Sequence, residues 1–207
     1  SAQGSPDTRD WEHVELNKRR MEYAAELGAD CFLFMNTNKA EDSRSVEDDI
    51  RAAAEGADEW AEYAAGMGLE LTYHIHTNLL VDSIDEWRLY MSCLKTAKLC
   101  IDVSHAELWD YDPAQSLIDF YDQLNYVHLQ DYSSCTVREP GRYNPEWVNV
   151  GEGECLDFKG CLDTLADKGY SRWVTACPET PPEGGTEATV SARNSSTMRE
   201  YVRSLGY

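Results

Sequence analysis

Basic side chains are scarce in this chain. Lys and Arg number 18 against 38 Asp and Glu, a net charge of −20 over 207 residues. Nucleic-acid affinity rests on cationic side chains displacing counterions from phosphates, so this balance argues against a nucleic-acid partner and, by the same logic, against anionic membranes. Long hydrophobic runs are also missing. No stretch approaches the ~20 apolar residues of a membrane helix. The first residues, "SAQGSPDTRD", lack the basic region and apolar core of a secretory signal. The seven cysteines (Cys31, Cys93, Cys100, Cys135, Cys155, Cys161 and Cys177) contain no CxxC pair and no zinc-ribbon spacing. Their odd number, and apolar settings such as "CFLFM" and "AKLCIDV", point to small buried hydrophobes in a reduced, cytoplasmic protein. No glycine-rich loop follows a predicted strand, which leaves a Rossmann or P-loop reading without support.

What is present is core-forming material, with 42% hydrophobic residues in a length suited to a single domain over 1–207. Helical and strand patterns alternate. Helices are expected over about 10–27, over 45–68 with Ser45 as N-cap, and over 83–94, where Ser83 and Glu86 match a capping box. Further helices are expected from Asp112–Pro113 onward, over 157–169, and near the C-terminus. Between them lie five apolar strands, "CFLFMNTN", "LELTYHIHTN", "AKLCIDVSH", "NYVHLQDY" and "SRWVTACPE". Strands apolar throughout and alternating with helices imply an α/β fold with a parallel sheet.

Four of these strands end in side chains able to do chemistry: "HIHTN", "DVSH", "HLQD" and "CPE". In parallel α/β folds, active sites gather at the C-terminal ends of strands. His74 and His76 stand two residues apart, and an extended strand turns both to one face. They are either satisfied core histidines or part of a metal or proton-transfer site. With Asp102, His105, His128 and Glu179 they make a mixed imidazole and carboxylate set, suited to Mn, Co, Fe or Zn. The stretch 131–158 is longer than an ordinary connection and reads as a lid or substrate loop, or as a solvent-exposed excursion. Trp109, Tyr111, Tyr132, Tyr143 and Trp147 follow strand ends and are candidates for a wall that stacks on a sugar. Arg138 and Arg142 are candidates for holding a phosphate or carboxylate. Glu152 and Asp157 are expected to fix a turn and a helix start.

The stretches "HIHTN", "LCIDVSHAELWDYDPAQSLIDFYDQLNYVHLQD", "VNVGEGECLDF" and "GYSRWVTACPE" resemble the xylose isomerase-like sugar phosphate isomerase/epimerase superfamily. The H-x-H-T feature is most similar to its inosose dehydratase-like branch. The resemblance implies a (β/α)8 TIM barrel with a divalent cation (Mn, Co, Mg or Zn) at its mouth. It covers roughly residues 10–207 and starts at the helix that follows the family's third strand. The barrel is therefore expected to be incomplete, with about five βα units. By the resemblance, Asp102 and His128 match metal ligands, His105 a substrate-contacting histidine, and His76 a substrate or proton-transfer group. His74 falls where many members have a ligand glutamate. The last ligand position falls on Cys177, with Glu179 two residues on; either can face the mouth, and hard oxygen favours Glu179. The family's H-x-K-D lysine is Gln130 here, a substrate contact without the charge.

The implied function is isomerisation, epimerisation or dehydration next to the carbonyl of a sugar or cyclitol. His76 and His105 would serve as catalytic groups, His74, Asp102, His128 and Glu179 as metal ligands, and Gln130, Trp109 and Arg138 as substrate contacts. The alternative is a non-catalytic or partner-dependent barrel subunit with a degraded metal site. Either reading leaves room for oligomerisation, or for a partner chain that completes the barrel.

Overall fold

The computed structural model describes residues 11–39, 45–139, 142–177 and 187–207, with the side chains of residues 11–13, 138, 139 and 187 left out. The chain forms two compact units, Ser1–Cys100 and Ile101–Tyr207.

In the first unit, helix α1 (Trp11–Glu26) leads into strand β1 (Cys31–Phe34), helix α2 (Val46–Ala65), strand β2 (Glu70–His74), helix α3 (Ile84–Cys93) and the opening residues of strand β3 (Lys98–Asp102). β1, β2 and β3 lie side by side in that order, all parallel, with Phe34 opposite Tyr73 and His74 opposite Cys100. α2 begins where Ser45 Oγ accepts from the Asp48 amide. Glu47, Asp48 and Asp49 in its first turn complement the positive end of the helix dipole. Its buried residues Ile50, Ala54, Ala57, Trp60, Ala61 and Ala64 recur at helical spacing. The Asp58 carboxylate accepts amides from Lys95 and Thr96, which ties the start of β3 to α2. Phe34, Tyr73 and Tyr90 form a buried aromatic row, with Tyr73 and Tyr90 centroids 4.4 Å apart.

In the second unit, the end of β3 runs directly into helix α4 (Val103–Leu108). Helix α5 (Pro113–Asp119), strand β4 (Leu124–Leu129), strands β5 (Asp131–Glu139) and β6 (Arg142–Val148), helix α6 (Phe158–Asp167), strand β7 (Trp173–Ala176) and helix α7 (Glu187–Ser204) follow. β4 and β7 are parallel, with His128 opposite Thr175. Asp112 and Asp157 cap α5 and α6, as expected.

Strands alternating with helices, and parallel within each unit, follow the plan of a (β/α) barrel whose complete form has eight such units. Three expectations need correction. The stretch 131–148 is not an irregular loop but an antiparallel hairpin, β5 with β6. Its alternating pattern, half-exposed along β6, is that of a ribbon with one wet face. The third strand ends at Asp102 rather than running through His105, because the Asp102 carboxylate accepts from Ser104 N at 3.0 Å and caps α4. The second strand likewise ends at His74, so His76 lies just past it.

Candidate active site

Asp102 is the last residue of β3 and the N-cap of α4, and is 1% exposed. Its Oδ1 accepts from both Ser104 N and Ser104 Oγ, at 3.0 and 2.7 Å. Two donors on one oxygen fix the rotamer and aim the other oxygen. That other atom, Oδ2, lies 3.8 Å from His128 Nδ1 on β4. The same ring nitrogen lies 3.6 Å from Cys177 Sγ.

Sheet register explains why these side chains meet. His128 and Thr175 are partners across β4 and β7, and the Tyr126 hydroxyl meets Thr175 Oγ1 at 2.8 Å. Alternation therefore puts Tyr126, His128, Thr175 and Cys177 on one face, and Leu129, Val174 and Ala176 on the other. Cys177 N donates to Leu129 O at 2.9 Å, extending the ladder one step past β7 and holding the cysteine in register. A carboxylate oxygen and a thiol sulfur thus each approach the same imidazole nitrogen, His128 Nδ1. This donor chemistry fits a first-row divalent cation.

His105 sits in the middle of α4, 1% exposed, and its ring meets Trp147 of β6 edge-on at 5.5 Å. Trp147 in turn meets Tyr132 of β5 at 6.1 Å. The hairpin is thereby a packing partner of the histidine. Its base is held by Asp131, 0% exposed, whose carboxylate accepts from the amides of Tyr132, Gly151 and Gly153 at 2.9–3.0 Å. A Cβ on Gly153 would lie 2.3 Å from Asp131 Oδ1, so the close approach requires glycine. Burial holds the Tyr132 hydroxyl well above the usual phenol range, with Cys155 and Glu107 adding to it. Glu107 on α4 is also held above the ordinary carboxylate value, by burial first and then by Asp112 and Asp110. Asp131 is a structural anchor of this region; its signal in the sequence is the acidic residue of "LQD" followed by the glycines of "GEG".

In the first unit, His74 is buried, and its ligand-type ring nitrogen and Cys100 Sγ lie within 4.8 Å of each other. The His74 and His76 rings stand 6.1 Å apart at 71°, although His76 lies past the end of the strand. His76 Nδ1 lies 2.7 Å from Thr77 O. A carbonyl can only accept, so Nδ1 donates in this contact, and the neutral form of the ring has its acceptor at Nε2.

Of the remaining expected site residues, Gln130 is half-buried between β4 and β5. Trp109 is 4% exposed and caps α4, with its amide bonded to His105 O. Tyr111 donates to Asp119 and is buried. Arg138 lies in β5, and its side chain is outside the described residues, as is Glu179. Asp102 and Cys177 are therefore each brought to His128, and His105 to Trp147.

The family model for xylose isomerase-like TIM barrels matches residues 2–200. The chain belongs to that family. Curated relatives of this xylose isomerase-like chain include inosose dehydratases. That of Geobacillus kaustophilus is 24% identical over 150 residues, 67% of this chain and 48% of the relative. That of Bacillus licheniformis is 28% identical over 141 residues, 62% of this chain and 46% of the relative. The chain spans about half the length of these curated relatives. Solved structures with the same fold include a D-tagatose 3-epimerase-like protein, at TM-score 0.73 and 15% identity over 98% of this chain and 74% of the other. The 3-keto-D-glucoside 4-epimerase of E. coli follows at TM-score 0.68 and 18% identity, covering 97% and 76%.

Proposed function

We propose that the chain is the catalytic part of a divalent-metal-dependent enzyme that dehydrates, isomerises or epimerises a sugar or cyclitol next to its carbonyl, with residues 1–207 belonging to one barrel domain. The observation that carries this reading is the approach of Asp102 Oδ2 to His128 Nδ1, with Cys177 Sγ on the same nitrogen. Inosose dehydratases among the relatives and epimerases among the structural neighbours support the substrate class.

In this reading Asp102 and His128 hold the cation, with Cys177 or Glu179 from the last strand, and His74 at the position where the family resemblance implies a further ligand. When bound, a divalent cation polarises the substrate carbonyl and offsets charge developing on its oxygen. The chain's own residues do the rest. Ser104 fixes the Asp102 carboxylate before anything binds, so the oxygen needs no reorientation. His76, with its proton on Nδ1, presents Nε2 as the base that takes a proton from the carbon beside the carbonyl. His105 is held upright by Trp147 as a substrate contact and proton donor. Gln130, Trp109 and Arg138 are the further substrate-facing groups of this proposal, Trp109 by shaping the wall from behind.

Proton exchange tests it, because dehydration and epimerisation both begin by breaking a C–H bond next to the carbonyl. The full chain, supplied with Mn2+ or Co2+ in deuterium oxide, should wash deuterium into an inosose or a ketohexose, read by proton NMR. His76→Ala should slow the exchange by roughly 100-fold or more. A metal-loaded chain with no exchange on any ketose or inosose would favour the non-catalytic subunit instead.

A further inference from the structure

We propose that Cys177 is a thiolate ligand, so that this chain's site selects a thiophilic cation such as Zn2+ or Co2+ over Mg2+ or Mn2+. The inference rests on the cation site proposed above and adds which cations it takes. Two ligands on a tetrahedral Zn2+, nitrogen at about 2.05 Å and sulfur at about 2.3 Å, stand about 3.6 Å apart. His128 Nδ1 and Cys177 Sγ stand 3.6 Å apart in this structure. A carboxylate oxygen and an imidazole nitrogen on the same ion stand about 3.4 Å apart, and Asp102 Oδ2 lies within a few tenths of that, at 3.8 Å from His128 Nδ1. The sulfur therefore already sits at ligand distance from its neighbour before any ion arrives.

The position is built into the sheet rather than left to a loop. Cys177 is anchored by its amide to Leu129 O, and its side chain shares the face of His128 and Thr175. Thiolate favours the softer members of the divalent series, whereas carboxylate and carbonyl suit Mg2+ and Mn2+. On binding, the Cys177 S–H bond breaks, its proton passes to solvent, and the sulfur lone pair forms the metal–sulfur bond, with no change of oxidation state.

Cobalt reads this directly. The reduced full chain titrated with Co2+ should develop a near-ultraviolet thiolate-to-cobalt charge-transfer band that saturates at one equivalent. Cys177→Ser should abolish the band, whereas Cys155→Ser, at an exposed position, should keep it. Cys177→Glu should shift the Zn2+-over-Mn2+ preference toward Mn2+ by at least roughly 10- to 100-fold, the range by which even outer-shell changes alter metal affinity. Stoichiometric Co2+ without the band, or a band that survives Cys177→Ser and disappears in Cys100→Ser, would overturn the role of Cys177 and leave the cation reading standing. Failure to bind any divalent cation would overturn both.

Discussion

At the scale of single residues, four carboxylates show how one side chain is given one task. Asp102 divides its oxygens, one on Ser104 and one toward His128. Asp157 and Asp112 spend theirs on helix caps. Asp131 spends both oxygens on backbone amides that close the base of the hairpin. Replacing it with Ala strands three buried or half-buried N–H groups, at about 1–3 kcal/mol each. Asp131→Ala is therefore expected to lower stability by roughly 3 kcal/mol or more, measured as the shift in urea midpoint. A loss under ~1 kcal/mol would show that water replaces the carboxylate at little cost. Asp102 and His128 were legible in the sequence as residues ending apolar strands. Asp131 was not, because its partners are backbone amides 20 and 22 residues away, and backbone leaves no residue type to read.

At the scale of elements, the strands and long helices follow from local rules. Apolar runs bounded by Ser, Asp or Gly place each of β1, β2, β3, β4 and β7 near its predicted position. The capping box at α3 is legible but not as a closed pair. Ser83 Oγ accepts from Glu86 N, while the Glu86 carboxylate reaches Asp82 N and Lys39 Nζ rather than Ser83 N. Ser83→Ala should therefore cost about 1 kcal/mol in thermal or urea unfolding, since Glu86 still secures the loop before the helix. Where α4 begins could not be read from periodicity. "VSHAEL" is too short to show a helical period, and only the Asp102 carboxylate on Ser104 marks the start. The β5–β6 hairpin is harder to read for a different reason: a stretch as long as 131–158 reads as a lid or an excursion, although "EPGR" carries a turn signal in the sequence between the two strands.

At the scale of the whole molecule, membership of the xylose isomerase-like family accounts for the parallel strands and for polar residues placed at their ends. No helix among the described residues is long and apolar enough to cross a membrane. The net charge of −20 opposes association with polyanions such as nucleic acid. The central claim is that Asp102 and His128 hold a divalent ion. Its most direct test is metal content per chain after exposure to Zn2+, Co2+ or Mn2+ and exhaustive dialysis, for the wild type and Asp102→Ala, alongside circular dichroism. The account predicts one equivalent of ion in the wild type and near none in the variant, with an unchanged spectrum. A wild-type chain that retains no ion, or a variant that retains as much, would contradict it.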